Sequence, residues 1–285
     1  MSMKPEDFEY LAKLLKDRSG LVLNADKSYL LESRLMPIAR KRGFKGIEEL
    51  TEKLRANDEG LASDVTEAMT TNESFFFRDQ KPFDQFKDIV LPNLLRTRAT
   101  KKSFRIWCAA ASSGQEPYSL AMILKEEAAK LAGWKTEIIG TDLSKEILEK
   151  AKTGLYSQFE VQRGLPITLL VKYFHKRDDQ WEIDAGIRAM VNFREFNLLS
   201  DLSSLGGFDV VFCRNVLIYF DQATKGRVLE GIAKLMSDDG VLYLGGAETV
   251  LGITDKFKPV PNQRGAYAVV KGAGNLPCLG AEPVK

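Results

Sequence analysis

The segment Ile106-Trp-Cys-Ala-Ala-Ala-Ser-Ser-Gly-Gln-Glu-Pro-Tyr-Ser119 reads as strand, tight loop and helix. In a doubly wound α/β fold this is the turn that meets a nucleotide. Holding a pyrophosphate there needs GxGxxG, because glycines let the backbone approach the phosphates at the helix N-terminus. The loop offers only Gly114, and Glu116 stands at the helix start, where a phosphate would be repelled. No GxxxxGK[ST] is present either. Such a loop suits a nucleoside without phosphates. Asp142 ends the second strand, in Gly140-Thr-Asp142. An acidic residue there can accept hydrogen bonds from both ribose hydroxyls, or it can simply cap the next helix. Strand-end placement alone leaves these readings level; the phosphate-poor loop tips them toward a nucleoside. S-adenosyl-L-methionine (SAM) is the common nucleoside cofactor that lacks phosphate.

Elements that would position these residues are legible from periodicity. Phe104–Ala111 is a buried strand, Pro117–Leu131 a helix with proline in its first turn, Thr136–Thr141 a strand, and Ser144–Thr153 a helix capped by Ser144. Phe208–Cys213 is a strand, Gln222–Met236 a helix and Val241–Leu244 a strand. This alternation implies a mainly parallel sheet with helices on both faces. A helix over Lys81–Leu95 precedes it. Candidate strands Trp181–Ile183 and Ala189–Phe193, within Tyr156–Phe196, suggest an inserted antiparallel lobe. Phe257–Val270 reads as a closing hairpin around Asn262-Gln-Arg-Gly265.

The first 70 or so residues have a different texture. Phe8, Leu11, Ala12 and Leu15 fall on one helical face, and Gly20 is a plausible stop. A second helix runs from about Asp26 to Arg42, with Pro37 as a candidate kink. Further helices are expected at Ile47–Ala56 and Gly60–Met69. The Gly-, Pro- and Ala-rich stretch 272–285 reads as a disordered tail.

The chain has 285 residues, which suggests two domains at roughly 100–200 residues each. Its net charge of +2 argues against a broad basic field for nucleic acid. Cys108, Cys213 and Cys278 are far apart and form no CxxC pair, which reads as free thiols in a reducing compartment. A single histidine, His175, excludes a His-rich metal site, and a Ser-His-Asp triad unless His175 is its base. No apolar run approaches the ~20 residues of a membrane span, and the N-terminus does not read as a signal peptide. A soluble cytoplasmic protein without metal is the expectation. Phe75, Phe76, Phe77, Trp107, Cys108 and Cys213 read as core, and His175 as surface. Arg78 follows an apolar run and so needs an anionic partner. Tyr219, in a Tyr-Phe pair ending a strand, divides between packing and function.

Four motifs stand in a specific order: Thr70-Thr-Asn-Glu-Ser-Phe-Phe-Phe-Arg78, Ala110-Ala-Ser-Ser-Gly-Gln-Glu-Pro-Tyr-Ser119, Gly140-Thr-Asp-Leu-Ser144 and Phe208-Asp-Val-Val-Phe-Cys-Arg-Asn-Val-Leu-Ile-Tyr-Phe220. The ordered set resembles the chemotaxis receptor methyltransferase family (CheR), which transfers methyl from SAM to receptor glutamates. The match runs from the N-terminal helices to about Val270. The family's G-E-E-P-Y-S has Gln115 for its first Glu here, a mild departure because Glu116 matches the ligand-contacting position. The resemblance implies an all-α N-terminal domain over 1–71 that recognises the receptor. It implies a Rossmann-like SAM-dependent methyltransferase domain over 72–271, with the antiparallel insert within about 156–196. It also implies contacts to SAM, or to its product S-adenosyl-L-homocysteine (SAH), from Asn72, Ser74, Arg78, Glu116, Asp142, Asn197, Leu198, Arg214 and Asn215. Asp142 is then the ribose ligand, and Asn197 and Leu198 lie beside the adenine. Arg78 and Tyr219 match positions that flank the reacting methyl and the substrate carboxylate.

Methyl transfer to a carboxylate that is already ionised near neutral pH needs no general base, which fits a chain with one histidine. Arg34, Arg40, Lys41 and Arg42 on the second helix would then steer a glutamate-rich helical receptor segment; without the family context they would read as a solvated face. The turn Lys176-Arg-Asp-Asp-Gln180 lacks a glycine-rich stretch, which argues against tethering through a receptor C-terminal peptide. A SAM-binding adaptor, a nucleic-acid methyltransferase and a nicotinamide dehydrogenase are the competing readings. Retention of Arg78, Asp142, Arg214, Asn215 and Tyr219 speaks against the first. Near-neutral charge and the lack of an NPPY-type motif speak against the second. The missing glycines speak against the third.

Overall fold

Beta-alpha alternation materialises as a seven-stranded sheet. The structure, a computed structural model, describes residues 3–271. Its strands are β1 (Ser103–Ala109), β2 (Lys135–Asp142), β3 (Leu155–Ser157), β4 (Phe174–Arg177), β5 (Gln180–Ile183), β6 (Val191–Glu195), β7 (Phe208–Cys213), β8 (Met236–Leu244), β9 (Phe257–Pro259) and β10 (Ala266–Val269). The main sheet has the order β6-β2-β1-β7-β8-β10-β9. Its first five strands run parallel, and β10 is antiparallel to both β8 and β9. Strands β1 and β7 are buried along most of their length because both faces are covered, which is why they read as continuous apolar runs. Trp107, Phe104, Phe208, Phe212 and Tyr243 fill that core. The order turns back between β1 and β7, so the crevice at their carboxyl ends is a topological switch point, where open α/β sheets bind ligands.

Two compact units divide the chain: Met1–Thr71 with Tyr219–Thr224, and Asn72–Ile218 with Lys225–Lys285. Helices Pro5–Ser19, Ser28–Lys41, Ile47–Arg55 and Glu59–Ala68 build the smaller one. Leu11, Leu15, Leu31, Leu35, Leu50, Leu54, Leu61 and Val65 are its core. Gly20, at φ 80°, ends the first helix. The second helix begins after a 3-10 turn at Ala25–Lys27 and continues through Pro37. Tyr219–Thr224 is anchored here: the Val22 amide donates to the Tyr219 carbonyl (2.9 Å), and Lys16 pairs with Asp221 (2.7 Å). Among the described residues, no helix is long and apolar enough to cross a membrane.

Several elements differ from the sequence reading. The segment expected to pair within the inserted lobe around Ala189–Phe193 is instead β6, parallel to β2 at the edge of the main sheet. The antiparallel insert is the small sheet β3-β5-β4. A short strand carries no mark of its partner, because period-2 alternation fits either kind of pairing. The helix expected over Lys81–Leu95 runs as Lys81–Gln85, a π turn at Phe86–Val90, and Leu91–Thr97. Pro92 lacks an N–H and its ring clashes with the carbonyl four residues back, so the ladder widens by one residue there. The helix after β1 is Gln115–Glu126, shorter than Pro117–Leu131 suggested. Strand β8 starts at Met236, because a bulge in the β7–β8 pairing absorbs Ser237-Asp-Asp-Gly240. The hairpin of β9 and β10 forms as expected. The expected disordered tail, with Cys278, lies outside the described residues.

Candidate active site

The loop after β1 passes through left-handed conformations at Ala110 (φ 59°), Ser112 (φ 51°) and Gly114 (φ 91°). Three of its amides bond within the protein. Ala111 N donates to the Thr141 carbonyl (2.8 Å), Ser112 N to Asp142 Oδ2 (2.8 Å) and Gly114 N to the Ala111 carbonyl (3.0 Å). A Cβ at Gly114 would press on Phe193, Ala151 and Tyr118 at 3.0–3.1 Å, so close packing as well as its φ calls for glycine here. Asp142, 8% exposed at the end of β2, is oriented by the Ser112 amide and by the Ser144 amide on Oδ1 (3.0 Å). The Phe196 amide donates to the Asp142 carbonyl (2.8 Å), which ties the end of β6, and Asn197 and Leu198 just beyond it, to the end of β2. Leu198 is buried; Asn197 Oδ1 accepts from the Leu199 amide (2.9 Å).

Arg214 leaves β7 with its side chain only 1% exposed. Nη1 donates to Glu116 Oε2 (3.0 Å), and Nη2 donates to Asp79 Oδ2 (2.6 Å) and the Arg78 carbonyl (3.0 Å). Its Nε is buried with no partner among the described residues. One guanidinium therefore joins three segments distant in sequence. Burial pushes the Glu116 carboxyl above the usual glutamate range, with Arg214 pulling the other way. The turn at Arg78 is strained: Phe77, Asp79 and Gln80 all have φ between 43° and 66°. Such conformations cost about 1–3 kcal/mol each and persist only where surroundings enforce them. Here the Phe77 amide donates to Ser119 Oγ (3.0 Å), beside the Arg214 bonds.

Arg78 itself is held lightly. Its Nη1 donates to the Glu73 carbonyl (3.1 Å), and its guanidinium lies 5.3 Å from the Phe75 ring centroid. No carboxylate among the described residues forms an ion pair with it; Glu116 is the internal acid that feels its charge. Arg163 stands over the same ring (4.3 Å) and pairs with Glu73 (2.8 Å). Phe75 is thus a half-buried platform for two arginines, whereas Phe76 and Phe77 are core as expected. Asn72 lends its carbonyl to Ser112 Oγ (3.0 Å), and Ser74 is half-buried. Tyr219 is half-buried in the smaller unit. Trp107 is core, with Nε1 donating to Thr141 Oγ1 (2.9 Å). Cys108 and Cys213 are free and buried, and burial pushes both thiols well up, so neither is an activated nucleophile. His175 is exposed.

On the second helix the four cations divide. Arg34 donates to the Met69 and Thr70 carbonyls (both 2.9 Å), and Arg42 pairs with Asp64 (2.6 Å). Arg40 and Lys41 are exposed. Sequence reasoning missed Asp79, Arg163 and the platform role of Phe75. The acidic residue directly after Arg78 was the one available signal.

These features are those of a SAM-dependent methyltransferase: a doubly wound sheet, an acidic strand end and an acidic helix start. The donor set fits a nucleoside with a cationic tail. Asp142 suits its ribose hydroxyls, and Glu116 suits a positive group. Among the described residues, no cluster of three His, Cys, Asp or Glu is arranged to hold a metal.

The family model for the CheR methyltransferase SAM binding domain matches residues 72–266, and that for the CheR methyltransferase all-alpha domain matches residues 6–70. The chain belongs to the CheR methyltransferase family. Chemotaxis protein methyltransferase Cher2 of Pseudomonas putida is 40% identical over 265 residues, 91% of this chain and 96% of that one. Chemotaxis protein methyltransferase 1 of Pseudomonas aeruginosa is 41% identical over 264 residues, again 91% and 96%. Chemotaxis protein methyltransferase 1 of Vibrio cholerae is 36% identical over 264 residues, 91% and 95%.

Proposed function

We propose that this chain transfers methyl from SAM to glutamate side chains of chemoreceptors in the cytoplasm, giving glutamate methyl esters and SAH for chemotaxis adaptation. Arg78 carries the reading. It is an arginine in a strained turn beside the Glu116–Arg214 pair, with no internal carboxylate on it, and it suits an incoming carboxylate. Bound SAM supplies an electrophilic methyl on a sulfonium. Asp142 holds the ribose, Asn197 and Leu198 flank the adenine, and Glu116 faces the cationic end. Asn72, Ser74, Arg214 and Asn215 complete the cofactor site. Arg78 orients the substrate carboxylate, and Tyr219, which follows the loop leaving β7, helps hold donor and acceptor in line. No base is needed, since the attacking glutamate is ionised near neutral pH. Charge is neutralised during transfer, so the gain comes from positioning, which supplies on the order of 7–11 kcal/mol.

The helical unit, residues 1–71, recognises a glutamate-rich helical receptor segment, with residues 72–271 carrying out transfer. Arg40 and Lys41 do most of the steering, since Arg34 and Arg42 are engaged within the unit.

The test uses SAM labelled on its methyl, this protein and receptor-bearing membranes. Mild base should release volatile labelled methanol, the mark of a carboxyl ester. Base-stable label would move the acceptor to another atom and refute the reading. No label despite SAM binding would favour the adaptor.

A further inference from the structure

Glu248 follows β8 in Gly245-Gly-Ala-Glu248, and its carboxylate is buried (9% exposed). Four backbone amides converge on it. Oε2 accepts from Asn215 N (2.8 Å) and Gly245 N (2.6 Å), while Oε1 accepts from Val216 N (3.0 Å) and Ile218 N (3.3 Å). Three of these donors belong to the loop leaving β7. A buried carboxylate persists only when such charge-assisted bonds offset its desolvation. The loop needs the help, because Asn215 sits at φ 60° and the left-handed region is costly for residues with a Cβ. Gly245 completes the clamp: a Cβ there would fall 2.7 Å from Asn215 Nδ2 and 2.8 Å from Glu248 Oε2.

We propose that Glu248 is a positioning residue of the methyl-transfer site. Its carboxylate clamps the Asn215–Ile218 backbone, which fixes Arg214 where it can join Glu116 to the Arg78–Asp79 turn. The proposal rests on the crevice at the ends of β1 and β7 being the SAM site. The clamp requires two acceptor oxygens. Glutamine has one, and its NH2 would face amide donors.

The experiment compares full-length wild type, Glu248→Gln, Glu248→Asp, Gly245→Ala and Asp209→Asn. Asp209 is a control: a buried carboxylate bonded to Arg98 and to the Arg105 amide at the opposite edge of the sheet. SAH affinity by calorimetry, kcat, the KM for receptor and the thermal midpoint are measured for each. Glu248→Gln is expected to weaken SAH binding at least tenfold and to lower kcat, with the receptor KM little changed. Glu248→Asp, which keeps both oxygens, should recover part of the affinity. Gly245→Ala, which crowds the clamp without removing the charge, should weaken SAH likewise; it decides the matter if Glu248→Gln does not fold. Asp209→Asn should lose thermal stability yet bind SAH within twofold of wild type. Wild-type affinity and kcat in both Glu248→Gln and Gly245→Ala would overturn the proposal. So would an equal loss of affinity in Asp209→Asn, since the effect would then be general destabilisation. Failure of wild type itself to bind SAH would overturn the underlying site reading, and this proposal with it.

Discussion

Glu116 couples protonation to the site. Burial raises its carboxyl above the ordinary glutamate value, while Arg214 is bound by the ionised form. For a raised carboxyl, the stability contribution is fully present below the unfolded value and is lost as pH rises through the folded value. Ligand binding should move the other way. Acidification protonates Glu116 before an ordinary glutamate, releases Arg214 and weakens SAH. Calorimetric SAH titrations between about pH 4.5 and 7 should show affinity falling on the acid side, beginning above the usual glutamate pKa of about 4.3. Glu116→Gln should bind SAH weakly throughout and without that pH dependence; an unchanged acid limb in the variant would refute the coupling. Arg78 gives a second residue-scale prediction. Arg78→Ala should lose about 100-fold in kcat, the scale of a misplaced substrate, with SAH affinity within threefold of wild type. Near-normal turnover would remove Arg78 from this role. Its type and place were legible in the sequence, but the lack of an internal carboxylate partner was not, because pairing depends on what the fold brings near.

At the scale of elements, the helix Ser28–Lys41 separates two meanings of basic residues. Arg34 satisfies carbonyls just past the end of the helix Glu59–Ala68, at Met69 and Thr70. Arg34→Ala should therefore cost about 1.5–3 kcal/mol of stability, the range for hydrogen bonds from a charged group, read as a denaturant midpoint shift. Arg40→Glu with Lys41→Glu should leave that midpoint unchanged and raise the receptor KM several-fold at low salt. The difference should shrink as salt screens it; a KM that ignores both charge and salt would refute steering. The sequence shows four cations in one helix, but not that two are engaged with neighbouring segments. The same limit explains β6. Its apolar residues identify a strand, while its partner β2 is set by how the chain returns after the insert.

Across the larger unit, the two edges of the main sheet carry different groups. Its carboxyl edge carries Asp142, Asn197, Arg214 and the loop after β1, while its amino edge carries Arg98 with Asp209 (2.9 Å), Asp239 and Ser237. Arg98→Leu would strand a buried carboxylate, which costs about 3–5 kcal/mol. A much lower melting temperature with SAH affinity unchanged in the folded protein is expected; altered affinity would show that the two edges are coupled. SAH at a hundredfold its Kd should in turn stabilise the folded protein by about 2.7 kcal/mol. By itself the sequence determined the βα order, the helical N-terminal unit and the ordered motifs that carry the family. All of these are local, resting on side-chain period, on turn chemistry and on what glycine alone permits. Only the tertiary structure decided that Arg214 joins Asp79 to Glu116, that Phe75 serves two arginines, and that Glu248 holds the loop after β7. Those are meetings of residues up to 135 positions apart, and a buried charge reveals its partner only when folding has removed water from around both.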